Sequence, residues 1–526
     1  RPYTMPRKSH LVWLSSWGGL LGLSQVGPSE GLLLPVSKLL GATLDELSPS
    51  SKLFSGYLEA VVPDVQPDGP PRHLEAFTFF CQHPDPDAPL FVWMSGGPGA
   101  SSLDGLFVET GPFLLNGQSL PKPPKRQGWQ AFTNPYGWNT LGSIVGWEQP
   151  AGVGFSRCHG SKNCEIWDDS TSAEANLAVL KSFFEQFPSE RSRQVFIAGE
   201  SYAGVYVPLL AQQIQHHNKQ SEAGAEIALK GIAVGNGCVG FGIPGSCGSD
   251  SILTVLEYLQ RGAPGLEQAL LKNAIDGCGS ELTTAPQHTK DFSPKCLALL
   301  RAVWSELGAF NVYNLNSPCG PSEQGNWGEG EAFACGTSEA MRRYINLLEV
   351  QRDLHVIEPS ATETKAWQQW DGTLPGYNIS LPDVVSVYQE LLEMGIRTII
   401  FNGLRDTCVP TPGAEGWTAR IGGAARPRRA WVSGGQKTGH VIEYTTKPLV
   451  FATVDGAGHL VPSDRPVAAL AIAKALASDS SLPAPAQQKC TPVWMGRGYA
   501  NLCDDSSSLM ARGEGEKVGE MLFLQA

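Results

Sequence analysis

Basic residues are in short supply in this chain: 39 lysines and arginines stand against 51 aspartates and glutamates, a formal charge of -12 over 526 residues. Nucleic acid is excluded as a partner, because its phosphates need a basic face. An acidic surface instead suits an acidic compartment, where partial protonation lowers self-repulsion. There is no Cys-x-x-Cys and no His-rich cluster with zinc spacing, so no metal and no other cofactor is implied. No internal repeat is present, which rules out a repeat architecture. Apart from one stretch near the start, no apolar run approaches the length of a membrane span.

That one stretch, Leu11 to Leu23, follows Arg7-Lys8 and precedes the small and polar Ser24 to Glu30. It has the outline of a secretory signal peptide and is too short to span a bilayer comfortably. The chain opens on Arg1, so Met5 is a candidate start and an N-terminal extension the plainer alternative. The 12 cysteines, an even number, point to an oxidising compartment. Cys158 with Cys164, Cys238 with Cys247 and Cys490 with Cys503 are close enough in sequence to pair. Asn378-Ile379-Ser380 is the one glycosylation sequon.

Short apolar runs ending in Gly-rich turns recur at Pro89 to Met94, Ile144 to Trp147, Gln194 to Ala198, Lys230 to Val234, Arg397 to Phe401 and Leu449 to Val454. Helix-like patterns such as Ser172 to Gln186 and Val384 to Met394 lie between several of them. Strands alternating with helices predict an α/β fold with a mostly parallel sheet covered on both faces. The rhythm fails from about Gly237 to Pro382, where six cysteines, abundant Gly and Ser and short helical patterns such as Ser338 to Val350 suggest an insertion near the site. The expected division is a signal or extension over 1–30, core over 31–236, an inserted cap over 237–382, core again over 383–480, and a linker with a polar tail over 481–526.

Gly199-Glu200-Ser201-Tyr202-Ala203-Gly204 sits between the strand ending at Ala198 and a helix over Val205 to Gln215. A serine on so sharp a strand-to-helix turn is how an α/β-hydrolase presents a nucleophile, and the flanking residues must be small for strand and helix to pass. Ala203 stands where the commonest elbow has glycine. A serine hydroxyl needs a histidine to take its proton and a carboxylate to hold the imidazole, in chain order Ser, Asp, His, each at a strand's carboxyl end. Asp406 follows the strand Arg397 to Phe401, and His459 follows Leu449 to Val454 with a helix over Val467 to Ala477 behind it. The rivals are His440, in a polar Gly-rich connection with no strong strand ahead of it, and Asp455 and Asp464, both awkwardly near His459. Ser95-Gly96-Gly97-Pro98-Gly99 after the strand ending at Met94 offers backbone N–H groups for an oxyanion, with the amide of Tyr202 as second donor.

Trp93 to Leu103, Pro150 to Ser156, Gly199 to Gly204 and Gly456 to Pro462 together resemble the serine carboxypeptidases, with the cathepsin A type the nearest look. The resemblance runs from about Phe54 to Ala477. It implies Ser201 as nucleophile, Asp406 and His459 as its triad partners, and the amides of Gly97 and Tyr202 as the oxyanion hole. It also implies that Trp93, Ser95, Gly96, Glu109 and Glu200 hold the substrate's terminal carboxylate. Two glutamates beside a bound carboxylate cannot all be ionised, so a proton must be shared and activity should favour acidic pH.

Departures from the family pattern carry expectations of their own. Ser95 replaces an asparagine, which shortens the donor to the substrate carboxylate. Ala100 replaces a cysteine whose family partner has Cys335 as its counterpart here, leaving Cys335 without that bridge. Leu404 and Leu460 replace a common acid and a common methionine. The expected protein is a serine carboxypeptidase acting on peptide or protein C-termini in the secretory pathway, lysosome or vacuole, or outside the cell, with a homodimer left open. An acyltransferase or esterase on the same scaffold is the alternative, and a non-catalytic protective binding protein a more distant one.

Overall fold

The six apolar runs become six adjacent strands, and the reason lies in their composition. Leu90–Met94 and Val195–Glu200 are buried at every position, as strands covered on both faces must be, so they read as continuous rather than alternating apolar segments. The computed structural model describes residues 32–47, 50–121, 128–222, 224–247, 252–262, 267–282, 292–307, 310–318, 338–367, 377–485, 490–494 and 499–503. The expected signal segment over 1–30 and Cys335 lie outside the described residues.

In chain order the main sheet uses β1 (Leu33–Pro35), β2 (Lys52–Val62), β3 (Arg72–Gln82), β4 (Leu90–Met94), β5 (Ser143–Trp147), β6 (Val195–Glu200), β7 (Leu229–Gly235), β8 (Arg397–Gly403), β9 (Arg429–Ser433), β10 (Gln436–Glu443) and β11 (Leu449–Val454). Their spatial order is β1-β2-β3-β5-β4-β6-β7-β8-β11-β10-β9, with a short strand Arg157–His159 also paired to β3. The six from β5 to β11 run parallel. Both flanks are antiparallel, the larger being the β2–β3 hairpin in register from Lys52 opposite Gln82 to Val62 opposite Arg72.

Helices cover both faces. On one, α2 (Asp169–Gln186), α3 (Ala203–Gln220) and α4 (Val385–Glu393) bury Phe183, Leu210 and Leu391. On the other, α1 (Ser102–Val108) and α5 (Pro466–Ala477) bury Leu106 and Ile472. Asp168 caps α2 reciprocally with Thr171, which fixes where that helix begins. Between β7 and β8, helices Ile252–Gly262, Gln268–Cys278 and Pro294–Leu307 build a small core of their own around Leu256, Leu271 and Leu300. Residues 338–367 pack differently, with Met341, Tyr344 and Trp367 entering the main core. The pattern over Ser338 to Val350 forms two helices, Glu339–Ile345 and Leu348–Asp353, broken at Asn346-Leu347.

Cys158–Cys164 and Cys238–Cys247 are bridged as their spacing suggested, and Cys278–Cys296 forms a third disulfide joining two helices of the insertion. Strands Cys490–Trp494 and Tyr499–Cys503 pair antiparallel and bring Cys490 opposite Cys503. Among the described residues Cys81 and Cys408 are free thiols.

Candidate active site

The central strand β6 delivers Ser201 into a turn whose backbone only a tight fit can hold. Ser201 has φ +60°, the left-handed region that costs a residue with a side chain about 1–3 kcal/mol. The small neighbours are needed physically: a Cβ on Gly199 would lie 2.2 Å from the Met94 carbonyl oxygen and 2.7 Å from the Ala203 methyl, and one on Gly204 would lie 2.2 Å from the Cys238 carbonyl oxygen. Ala203 is tolerated because Gly199 makes room for its methyl. Ser201 is pinned by its amide to Gly235 O (3.1 Å) and by its carbonyl to Cys238 N (2.9 Å).

Because β6, β7, β8 and β11 are parallel neighbours, the residues after each of them gather at one edge of the sheet. Asp406 and His459 meet there, with His459 Nδ1 2.6 Å from Asp406 Oδ2 and both side chains buried. Asp406 also accepts from Cys408 N (2.8 Å), Val409 N (3.2 Å) and Asn236 Nδ2 (2.8 Å). Burial alone would lower the His459 pKa, but the Asp406 carboxylate outweighs it and leaves the imidazole raised above its ordinary value. Among the described residues the Ser201 hydroxyl makes no hydrogen bond, and its side chain is partly open to solvent. Such contacts commonly close only when substrate binds.

Asn236 was not anticipated from the sequence. It sits at φ +42° just past β7, donates to Asp406 and accepts from Gly403 N (2.9 Å), so it locks the acid to its own strand. The signal was the same strand-then-Gly-turn context that marked the triad. A second unanticipated contributor is the turn between strands Phe310–Asn311 and Asn314–Pro318 of the insertion. Tyr313 O accepts from His459 N (2.7 Å), its ring lies 5.1 Å from the imidazole, and Val312 O accepts from Thr407 N (3.0 Å). A Cβ on Gly458 would lie 2.1 Å from Tyr313 O, so glycine there permits the approach.

None of the rival residues takes a place in the His459–Asp406 pair. His440 lies within β10, not in the irregular connection expected, because Gln436–Glu443 finds hydrogen-bonding partners on both β9 and β11. Asp455 is exposed, and Asp464 accepts from Gly458 N (2.7 Å) and Asn314 Nδ2 (3.0 Å).

The loop after β4 crosses directly over the elbow. A Cβ on Gly96 would lie 2.3 Å from Tyr202 N, and among the described residues neither the Gly97 nor the Tyr202 amide donates a hydrogen bond. Two free N–H groups beside the serine can receive an oxyanion. Ser95 comes next to Glu200 because Met94 pairs with Gly199 across β4 and β6. Ser95 Oγ accepts from Trp93 Nε1 at 3.2 Å. Glu109 and Glu200 are buried beside each other, close enough for each carboxyl to act on the other's ionisation. Burial, then the charge of its partner, raises Glu109 well above the usual carboxylate range, and burial lifts Glu200 to about 7.

A serine carboxypeptidase family profile matches residues 45–479. The chain belongs to the serine carboxypeptidase family. It is 30% identical over 410 residues to serine carboxypeptidase-like 36 of Arabidopsis thaliana, covering 76% of this chain and 78% of that one. Serine carboxypeptidase 1 of Hordeum vulgare is 28% identical over 473 residues, covering 80% and 88%. The crystal structure of KEX1(delta)p, a prohormone-processing carboxypeptidase from Saccharomyces cerevisiae, shares the fold at a TM-score of 0.63 and 22% identity, covering 88% of this chain and 97% of that one. This serine carboxypeptidase is thus a hydrolase of peptide substrates on an α/β-hydrolase scaffold. Among the described residues, no helix is long and apolar enough to cross a membrane.

Proposed function

We propose that this carboxypeptidase removes residues from peptide C-termini through an acyl-enzyme on Ser201. His459 takes the serine proton and later returns it to the leaving amine, while Asp406 holds the imidazole and balances the imidazolium. The Gly97 and Tyr202 amides receive the tetrahedral oxyanion, and Trp93, Ser95, Gly96, Glu109 and Glu200 hold the substrate carboxylate. The observation that carries the reading is the Glu109–Glu200 pair beside the elbow, because an endopeptidase has no use for a protonated carboxyl at that place.

Peptide hydrolysis on this reading is weakly acidic in optimum. Glu200 must keep its proton, which it does below about 7, and His459 must be neutral, which its raised pKa resists as the pH falls. Segment 237–382 acts as a cap, a reading supported by the contacts of Val312 and Tyr313 with the triad loops. Three disulfides support residence in the secretory pathway or a compartment reached through it. The narrower likeness to the cathepsin A type rests on the sequence motifs alone.

Incubating the protein with a mixed peptide pool and reading the products by mass spectrometry tests the reaction type. Ladders shortened one residue at a time from the C-terminus are expected. Internal cleavage, or activity confined to ester donors, would favour the esterase or acyltransferase reading, which Ser95 keeps open because its hydroxyl is a shorter donor than an amide.

A further inference from the structure

Asp169, the first residue of α2, is 1% exposed and has no part in the chemistry described above. Its carboxylate nevertheless accepts five hydrogen bonds. Oδ1 receives the hydroxyls of Tyr202 (2.6 Å) and Tyr377 (3.0 Å). Oδ2 receives Ser380 N (2.8 Å), Ser380 Oγ (3.2 Å) and Leu381 N (2.9 Å). The helix N-terminus behind it favours a negative charge at this place.

The donors come from two places that matter for the reaction. Tyr202 is the elbow residue whose amide is free beside Ser201. Residues 377–381 are the leg by which the insertion returns to the core. The Tyr202 ring is held edge-on by Tyr206, at 5.2 Å, and by Tyr377, at 5.9 Å, so its hydroxyl cannot change partner without the ring moving. Burial, and then the neighbouring Asp169 charge, keeps that hydroxyl far above its ordinary pKa range, so it is a donor at every working pH.

We propose that Asp169 is a positioning residue for the oxyanion hole: by gripping the Tyr202 hydroxyl it sets the Tyr202 amide, and through Ser380 and Leu381 it ties that setting to the returning leg of the insertion. The inference rests on the reading of the Tyr202 amide as an oxyanion donor. An oxyanion donor acts only from within about 3 Å of the developing charge, and losing one lowers kcat about 100- to 1000-fold. A Tyr202 ring released at its far end lets the amide drift over part of that range. The carboxylate grip on substrate, made by other residues, is left alone.

Tyr202→Phe in the full chain removes one hydroxyl and none of the bonds between Asp169 and the returning leg. With active sites counted by titration, kcat is expected to fall about tenfold or more for both peptide and ester substrates, with KM changed less than about twofold. Fluorophosphonate labelling should slow in parallel, since it builds charge on the same oxygen. Asp169→Ala should lower kcat at least as far, and adding Tyr202→Phe to it should lower kcat no further. A purely structural role predicts a lower Tm with kcat per active site unchanged. Wild-type kcat in Tyr202→Phe, or additive losses in the double variant, overturns the proposal. If Asp169→Ala does not fold, Tyr202→Phe alone decides. Loss of the underlying reading would show differently, as activity in Ser201→Ala or as no exopeptidase activity in the wild type.

Discussion

The carboxyls of Glu109 and Glu200 are buried beside each other inside the protein, and two such groups cannot both carry a full charge there without cost. The other charged neighbours of Glu109, Asp104 and Asp464, are carboxylates too, so ionisation of Glu109 meets only like charge, whereas Glu200 has His459 near it. Because burial raises Glu200 to about 7, that carboxyl is protonated below this value and ionised above it, while Glu109 is raised as well.

Peptide hydrolysis should therefore decline as the pH rises through about 7, whereas ester hydrolysis, which needs no terminal carboxylate, should extend further. Glu109→Gln supplies a permanent amide donor and should carry peptide hydrolysis to higher pH. Rate profiles measured for both substrate types decide the matter: superimposable curves would remove the carboxylate-binding role from the pair.

Ser201→Ala should abolish fluorophosphonate labelling and all hydrolysis. His459→Ala should lower kcat by at least about 10,000-fold, as loss of a general base does. His440→Ala, a change on a strand outside the triad loops, should leave kcat within about twofold of wild type. The reverse order of the two histidine effects would reassign the base.

Asn236→Ala takes one donor from Asp406 Oδ2, which keeps those of His459 and Val409, and leaves the Gly403 amide without its partner, which costs about 1–3 kcal/mol of stability. With the acid less firmly held, kcat should fall about ten- to a hundredfold while KM stays nearly constant. Asn236→Asp, which places a second carboxylate beside the first, should be worse than alanine. Thermal melts and steady-state kinetics on the two variants check both statements.

Glu148 reports on pH without touching substrate. It is fully buried, and its carboxyl accepts from Ser101 Oγ, Trp367 Nε1 and Phe155 N, each at 2.6 Å, just under the loop that carries Gly97. Burial lifts it from 4.5 to about 7, so the folded protein holds a proton that the unfolded chain releases, and stability falls as the pH rises between those values. The loss amounts to roughly 3 kcal/mol above about pH 7. Glu148→Gln should be less stable than wild type at pH 4.5, having lost an acceptor, but should lose less between pH 4.5 and 7. Denaturant titrations at several pH values that gave parallel curves would show that another group carries the effect.

Ser95→Asn restores an amide donor next to Glu200. A charge-assisted bond to a buried carboxylate contributes about 1.5–3 kcal/mol, so KM for peptides with a free C-terminus should fall about ten- to a hundredfold. Amidated peptides should be unaffected. An equal gain for both would mean that position 95 acts on loop geometry.

Ser201, Asp406 and His459 were legible in the chain because each follows a buried apolar strand, and a parallel sheet sends all such strand ends to one edge. The flanking glycines were legible for a steric reason that any alternative residue would violate, as the 2.2 Å approach at Gly199 shows. The β2–β3 hairpin left a weaker trace. Its strands, Lys52–Val62 and Arg72–Gln82, pair antiparallel across a Pro- and Gly-rich turn and lack the helix-separated rhythm that marks the parallel strands.

What the sequence alone determined is the set of reacting groups and their order, since local context puts a serine in an elbow or a histidine past a strand. Only the tertiary structure decided what holds them. Asn236 reaches Asp406 from 170 positions away and Tyr377 reaches Asp169 from 208. Tyr313 O comes to His459 N from a turn in the middle of the insertion. Nothing in the residues adjacent to these partners specifies the pairing. It arises because buried polar groups must find partners wherever packing has brought the chain, and that is a property of the folded whole.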